Sequence, residues 1–262
     1  MPARATLKPL QTSRYGWKPD LPDHRDQIMP SLLSGSGPLP AAVDLRAFCP
    51  PVYDQGNLGS CTANAIGAAL EFDQIKQKLK GVFVPSRLFI YYNERVIEGT
   101  VKQDAGAMIR DGMKTVAQQG APHETLWPYV ITSFAKKPPA SVYTDAAKYP
   151  ALVYRSVPQD ITSLKSCLAS GFPIVFGFTV YSGFESPDVA KTGQLNLPTP
   201  TETVLGGHAV LAVGYDDATQ RFLIRNSWGT SWGLQGYFTM PYAYMTNTRL
   251  ASDFWTITAV KG

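Results

Sequence analysis

Cysteine is scarce in this chain. Three residues of 262 carry a thiol, Cys49, Cys61 and Cys167. Three thiols cannot all pair, so at least one is free or bonds between chains, and a disulfide-stapled scaffold is excluded. Whether Cys49 and Cys167 bond to each other is not legible from spacing. Histidine is as rare, with His24, His123 and His208 only. The cysteines and histidines together show none of the close ligand spacings of a zinc site, so no metal is expected. No apolar run approaches the roughly 18 residues that would span a bilayer. The opening MPARATLKPL has no apolar h-region, so no signal peptide is expected. The protein is then cytoplasmic, or exported only if a leader has been removed. Charge of neither sign dominates. The 24 Lys and Arg against 20 Asp and Glu leave +4, and the basic residues are scattered where a nucleic-acid binder would cluster them. No cofactor is indicated, and there is no internal repeat.

What is present is globular: 44% hydrophobic and 17% charged residues, enough for a sizeable core in one or two domains. Prolines crowd the start (Pro2, Pro9, Pro19, Pro22, Pro30, Pro38), with the run SGSG at 34–37. That density excludes a long helix, so residues 1–39 read as an extended arm before a domain that begins near Pro40. Helical spacing follows over 61–80, closed by Gly81, over 86–99 with Ser86 as N-cap, and over 106–120 closed by Gly120. A shorter helix fits 160–171, capped by Asp160 and ended by Gly171. The second half then turns to strand-like runs at 172–180, 207–215, 221–226, 236–240 and 253–260. A helical lobe (about 40–150) followed by a β lobe (about 151–262) makes an α+β fold, with a ligand site favoured at the seam.

The chemistry begins with Cys61, in DQGNLGSCTAN. Gly59 and Ser60 precede it and a helix follows. The thiol is therefore expected at a helix N-terminus, where N–H groups and the helix dipole favour the nucleophilic thiolate. Alone, such a cysteine is more often inert packing. A thiolate needs a base. His24 lies in the arm, and His123 sits in a turn before Trp127–Pro128. His208 opens the apolar run AVLAVGY, where a base could face a cleft. An imidazole needs an orienting partner. Asn226, before Ser227–Trp228–Gly229, could accept from one ring nitrogen, with Trp228 shielding the bond. Gln55 could supply an N–H beside the Cys61 amide for an oxyanion. Singly, each has an ordinary structural reading.

Together, Gln55, Cys61, His208 and Asn226 resemble the papain-like cysteine peptidases. In that family the His and Asn lie about 130–150 residues beyond the cysteine. His208 falls within that interval, and Asn226 slightly beyond it. The resemblance spans about residues 40–241. AAVDLRAF resembles the mature start, QGNLGSCTAN the Gln-to-Cys loop, and HETLWPY an acidic–Tyr-Pro-Tyr turn. GGHAVLAVGYDD and LIRNSWGTSWGLQGYFTM resemble the His and Asn blocks. It implies a two-lobe fold, with a helical lobe, an antiparallel β-barrel-like lobe and the active site at the seam. It also implies Cys61 as nucleophile in a thiolate–imidazolium pair, His208 as base and then acid, Asn226 as orienter and Gln55 in the oxyanion hole. Gly106 and Ala107 fall where paired glycines line the substrate cleft. Ile109, Gly177, Gly206, Gly207 and Trp228 complete the expected substrate-binding set, with an apolar P2 preference.

Leu58 stands where the family has a disulfide cysteine, and its cleft-side partner is also missing. Thr62 replaces an aromatic, Ala107 the second cleft glycine, and Gly207 a larger residue. The lost bridges suggest a disulfide-poor, xylellain-like bacterial branch. The expected partners are peptide or protein substrates and the chain's own arm. Fully extended, 39 residues span roughly 130 Å, ample to cross a cleft, and Arg14–Asp26 is the stretch expected to pack there and limit access. A static strap is the equal alternative. Acyl transfer to an amine, and a binding protein on a peptidase scaffold, are the competing functions; retention of all four residues counts against the latter.

Overall fold

The computed structural model describes residues 15–30 and 38–261. Expectations for residues 1–14, Arg14 among them, and for the 31–37 stretch with its SGSG run fall outside the described residues. In chain order the first elements are β1 (Trp17–Lys18), β2 (Ala42–Asp44), α1 (Cys61–Lys76), α2 (Arg87–Ile97), β3 (Ala107–Met108), α3 (Ile109–Gln118) and α4 (Ala140–Ala146). There follow β4 (Ala151–Ser156), α5 (Ile161–Ala169), β5 (Ile174–Tyr181), α6 (Pro187–Thr192), β6 (Val204–Asp216), β7 (Arg221–Arg225), β8 (Tyr237–Pro241), α7 (Tyr242–Met245) and β9 (Ala251–Val260). Helices dominate the first half and strands the second, an α+β arrangement.

Seven of the strands form one antiparallel sheet in the order β4-β9-β5-β6-β7-β8, with β2 added alongside β6, while β1 and β3 form a separate two-stranded parallel pair. The first half of the chain thus donates a strand to the sheet of the second. Helix α1 lies between the lobes and is buried from Cys61 to Gln74. A helix apolar or small on all sides belongs in a core rather than on a surface. It ends at Lys76 rather than near Lys80, because Lys78 turns left-handed (φ 54°) and Leu79 N–H bonds back to the Gln74 carbonyl at 3.0 Å. The two expected caps are present: Ser86 Oγ accepts from Phe89 N at 3.2 Å, and Asp160 Oδ1 from Ser163 N at 2.9 Å. Strand β4 and helices α4, α6 and α7 were not legible in the sequence. The helices run only four to seven residues, too short to show a period.

One apolar core crosses the seam, and two arm residues, Trp17 and Met29, are part of it. The described stretch of the arm, residues 15–30, is fastened near both of its ends. Trp17–Lys18 pair in parallel with Ala107–Met108, and further along Met29 N bonds to Ser156 O at 2.7 Å and Ser156 N to Gln27 O at 2.8 Å.

Candidate active site

Cys61 is the first residue of α1 and has no exposed surface. Backbone N–H groups of Ala209, Gly16 and Thr62 are directed at its sulfur. Ala209 follows His208 on β6, so the seam brings the thiol and the imidazole strand together. His208 pairs across the sheet with Phe178 and is itself buried. Its Nε2 and Asn226 Oδ1 are 2.8 Å apart, and the same oxygen accepts from Ser227 N at 2.8 Å. Two donors on one oxygen fix which way the amide faces. The Trp228 ring lies 5.1 Å from the imidazole at 31° and covers it, backed by Phe184 and Trp232. Gln55 is fully buried. Its Oε1 accepts from Ser227 Oγ at 2.6 Å and its Nε2 donates to Leu58 O at 2.9 Å, so one serine ties the Gln55 loop to the Asn226 turn.

The arm lies directly on this constellation. Gly16 O accepts from Ala107 N at 2.7 Å. The approach is so close that a Cβ on Gly16 would stand 1.7 Å from Gly59 O, and one on Gly106 2.0 Å from Gly16 O. The Tyr15 ring is 6.0 Å from the His208 ring and edge-on to it, and its hydroxyl donates to Glu185. Trp17 lies on Gly177 and Gly207, where an added Cβ would come within 1.9 and 2.6 Å of its ring, and Tyr15 abuts Gly206. Cavities of about 540 and 710 Å³ exist elsewhere, beneath Asp23–Gln27 and beside β2 and β7. Neither is lined by Cys61 or His208.

Residues 39–256 match the family of papain family cysteine proteases. The chain belongs to that family. It is 46% identical over 241 residues to an uncharacterized peptidase C1-like protein of Acanthamoeba polyphaga mimivirus, covering 89% of this chain and 77% of that one. Against cathepsin K of Gallus gallus it is 30% identical, covering 76% of this chain and 58% of the relative, so it spans under two thirds of the longer cathepsin. Among solved structures, xylellain, a cysteine protease from Xylella fastidiosa, superposes with a TM-score of 0.89 at 48% identity, over 97% of this chain and 98% of that one.

In the protease, burial dominates the environment of Cys61. Desolvation beneath the arm pushes the Cys61 thiol up to about 11, against the N–H groups of Ala209 and Gly16, which act the other way. The other thiols, Cys49 and Cys167, are free, and burial raises both. Of the substrate-side residues expected from the sequence, Gly106, Ala107, Gly177, Gly206 and Gly207 touch the arm, and Trp228 adjoins Tyr15 at 6.2 Å. Ile109 instead starts α3 and is wholly buried in the core. His123 forms a pair with Asp145 at 2.9 Å, stacked on Phe83.

Sequence reading missed Ser227 as the tie between Gln55 and Asn226, and it missed Asp253, whose Oδ2 accepts from Trp17 Nε1 at 3.0 Å. The serine's place after Asn226 gave a hint. Nothing in DFWTITAV marks Asp253, since a strand-opening aspartate is ordinary.

Proposed function

We propose that this papain-family protease cleaves peptide bonds by attack of Cys61 on the substrate carbonyl. The reading rests on one observation above all: the Cys61 sulfur lies against the Ala209 amide, next to His208, whose Nε2 is held by Asn226 at 2.8 Å. With Nε2 committed to Asn226, Nδ1 is the nitrogen that takes the thiol proton and later returns it to the leaving amine. The resulting imidazolium keeps its Asn226 bond. The Cys61 backbone N–H at the start of α1 and the Gln55 amide hold the oxyanion. Water then resolves the acyl-enzyme with His208 as base.

The arm acts as an occupant of the cleft that is not a substrate. Gly16 turns an N–H, not a carbonyl carbon, towards the sulfur. While seated it desolvates the thiol and disfavours the thiolate; the depressed thiolate pKa implied by the family belongs to the open cleft.

Treatment with a peptidyl epoxide, read by intact mass and peptide mapping, tests both parts. A single adduct on Cys61 is expected, formed faster in Gly16→Ala and absent in His208→Ala. Adducts on Cys49 or Cys167, or undiminished labelling in His208→Ala, would overturn the assignment.

A further inference from the structure

The loop from Gln55 to Cys61 carries both groups that the proposed mechanism gives to the oxyanion, and a residue outside the loop steadies it. The Leu58–Gly59 peptide is gripped at both edges. Its carbonyl oxygen accepts from Gln55 Nε2 at 2.9 Å, and its N–H donates to Asp104 Oδ1 and Oδ2 at 3.0 and 3.1 Å. All three cysteines are free, so no covalent cross-link ties this loop to the body.

Asp104 is itself exposed, yet its place is built. Tyr91 and Arg95, one turn apart on α2 and both buried, hold the segment that carries it. The Tyr91 hydroxyl donates to Asp104 Oδ1 at 2.5 Å and accepts from Gly106 N at 3.1 Å. The Arg95 guanidinium donates to Val101 O at 2.8 Å and to Gln103 O at 3.0 Å, on the residues that lead into Asp104. A single chain of hydrogen bonds thus joins Gly59 to Gly106, the two glycines that touch the arm at Gly16.

We propose that Asp104 is a positioning residue for the protease reaction, which sets the Gln55 amide for the oxyanion by holding the Leu58–Gly59 peptide. The proposal rests on the reading of Gln55 as an oxyanion donor.

A peptide unit is planar, so fixing the Gly59 N–H fixes the direction of the Leu58 carbonyl. Gln55 Nε2 carries two hydrogens in the plane of its amide. Directing one at Leu58 O therefore directs the other, which the mechanism gives to the developing O⁻. Ser227 Oγ holds the opposite end of the amide at 2.6 Å. Without Asp104 that end stays put, while the Leu58 carbonyl is left on a peptide that can tilt. A carboxylate on the N–H also polarises the peptide and makes its carbonyl a stronger acceptor. The thiol does not depend on this device. One residue beyond Cys61, Thr62 Oγ1 donates to Glu94 Oε2 at 2.8 Å and pins the start of α1 to α2. Loss of Asp104 thus disturbs the oxyanion donor and leaves the Cys61 sulfur in place.

The test uses the full chain carrying Gly16→Ala, with kinetics on a fluorogenic peptide. Adding Asp104→Ala should lower kcat about tenfold and change KM by less than about threefold. Asp104 is exposed, so the substitution leaves no hole in the core. Because Asp104 acts through Gln55, the two losses should not multiply: adding Asp104→Ala to Gln55→Ala should cost less than about threefold more. Alkylation of Cys61 by iodoacetamide needs no oxyanion donor, and its rate should stay within about twofold. Asp104→Asn keeps an oxygen at Oδ1 for both Tyr91 and Gly59, and should retain more of kcat than Asp104→Ala. In the parent chain, where no turnover is needed, Asp104→Ala should shift the Gln55 side-chain amide resonances. Undiminished kcat in Asp104→Ala, losses that multiply in the double variant, alkylation slowed as much as turnover, or unmoved Gln55 resonances would each overturn the proposal and leave Gln55 as the oxyanion donor. Undiminished kcat in Gln55→Ala would instead overturn the oxyanion reading, and the proposal with it.

Discussion

At the residue scale the site is a set of hydrogen bonds that each commit one atom. Asn226 spends its oxygen on His208 and on the Ser227 amide, while Gln55 is braced by Ser227 and Leu58. In the proposed mechanism, replacing Gln55 by Ala removes an oxyanion donor without touching the thiol. Its kcat is expected to drop about 10²–10³-fold with little change in KM, as for loss of one such donor elsewhere; steady-state kinetics on a fluorogenic peptide in the Gly16→Ala background checks this. Asn226→Ala should instead shift the acid limb of the kcat/KM profile, since the imidazolium loses its acceptor, and the measured pH profile separates the two effects. The sequence singled these side chains out because the proposed chemistry demands particular residue types, and the structure brings Asn226 to His208 and Gln55 to the same turn. Ser227 and Asp253 were not singled out, because serine after asparagine and aspartate at a strand start are common, and only their contacts give them a role.

At the element scale, short pieces of backbone set how closely the arm lies on the cleft residues. The arm needs Gly16 where it crosses Gly59, since a Cβ there would meet a carbonyl oxygen at 1.7 Å. An unaccommodated methyl group costs about 1–3 kcal/mol. Gly16→Ala should therefore raise full-chain epoxide labelling by about tenfold or more. Unchanged labelling would mean that the arm does not govern entry. The sequence pattern exposed α2 and α5 well, with their caps at Ser86 and Asp160. It overran the end of α1, where Lys78 rather than Gly81 turns the chain. The β1–β3 pairing of two residues each, and the β9 bulge, lie below the length at which any periodicity exists.

At the scale of the whole molecule, burying carboxyls sets the response to pH. Glu94, wholly enclosed on α2 and bonded by Thr62 Oγ1 at 2.8 Å, is pushed by burial up to about 8, and Asp73 on α1 likewise. Both values lie above those of the unfolded chain. The stability these groups hold is therefore complete below about pH 4 and is lost progressively as pH rises to about 8. Glu94→Gln keeps the Thr62 bond and removes the ionisation, so its melting temperature should decline less than the parent's between pH 5 and 9 by thermal denaturation.

Seen whole, residue types and order determined the family, the helical-then-strand division, the four residues from which the proposed mechanism is built, and an arm long enough to reach the cleft. These follow from local chemistry and pattern. What the tertiary structure decided is where the arm's groups come to rest. Trp17 lies on Gly177 and Gly207, a Gly16 N–H faces the sulfur, and Asp20 stands beside an aspartate 233 positions away in the chain. Such contacts depend on the packing of distant segments against one another, and no spacing along the chain encodes them.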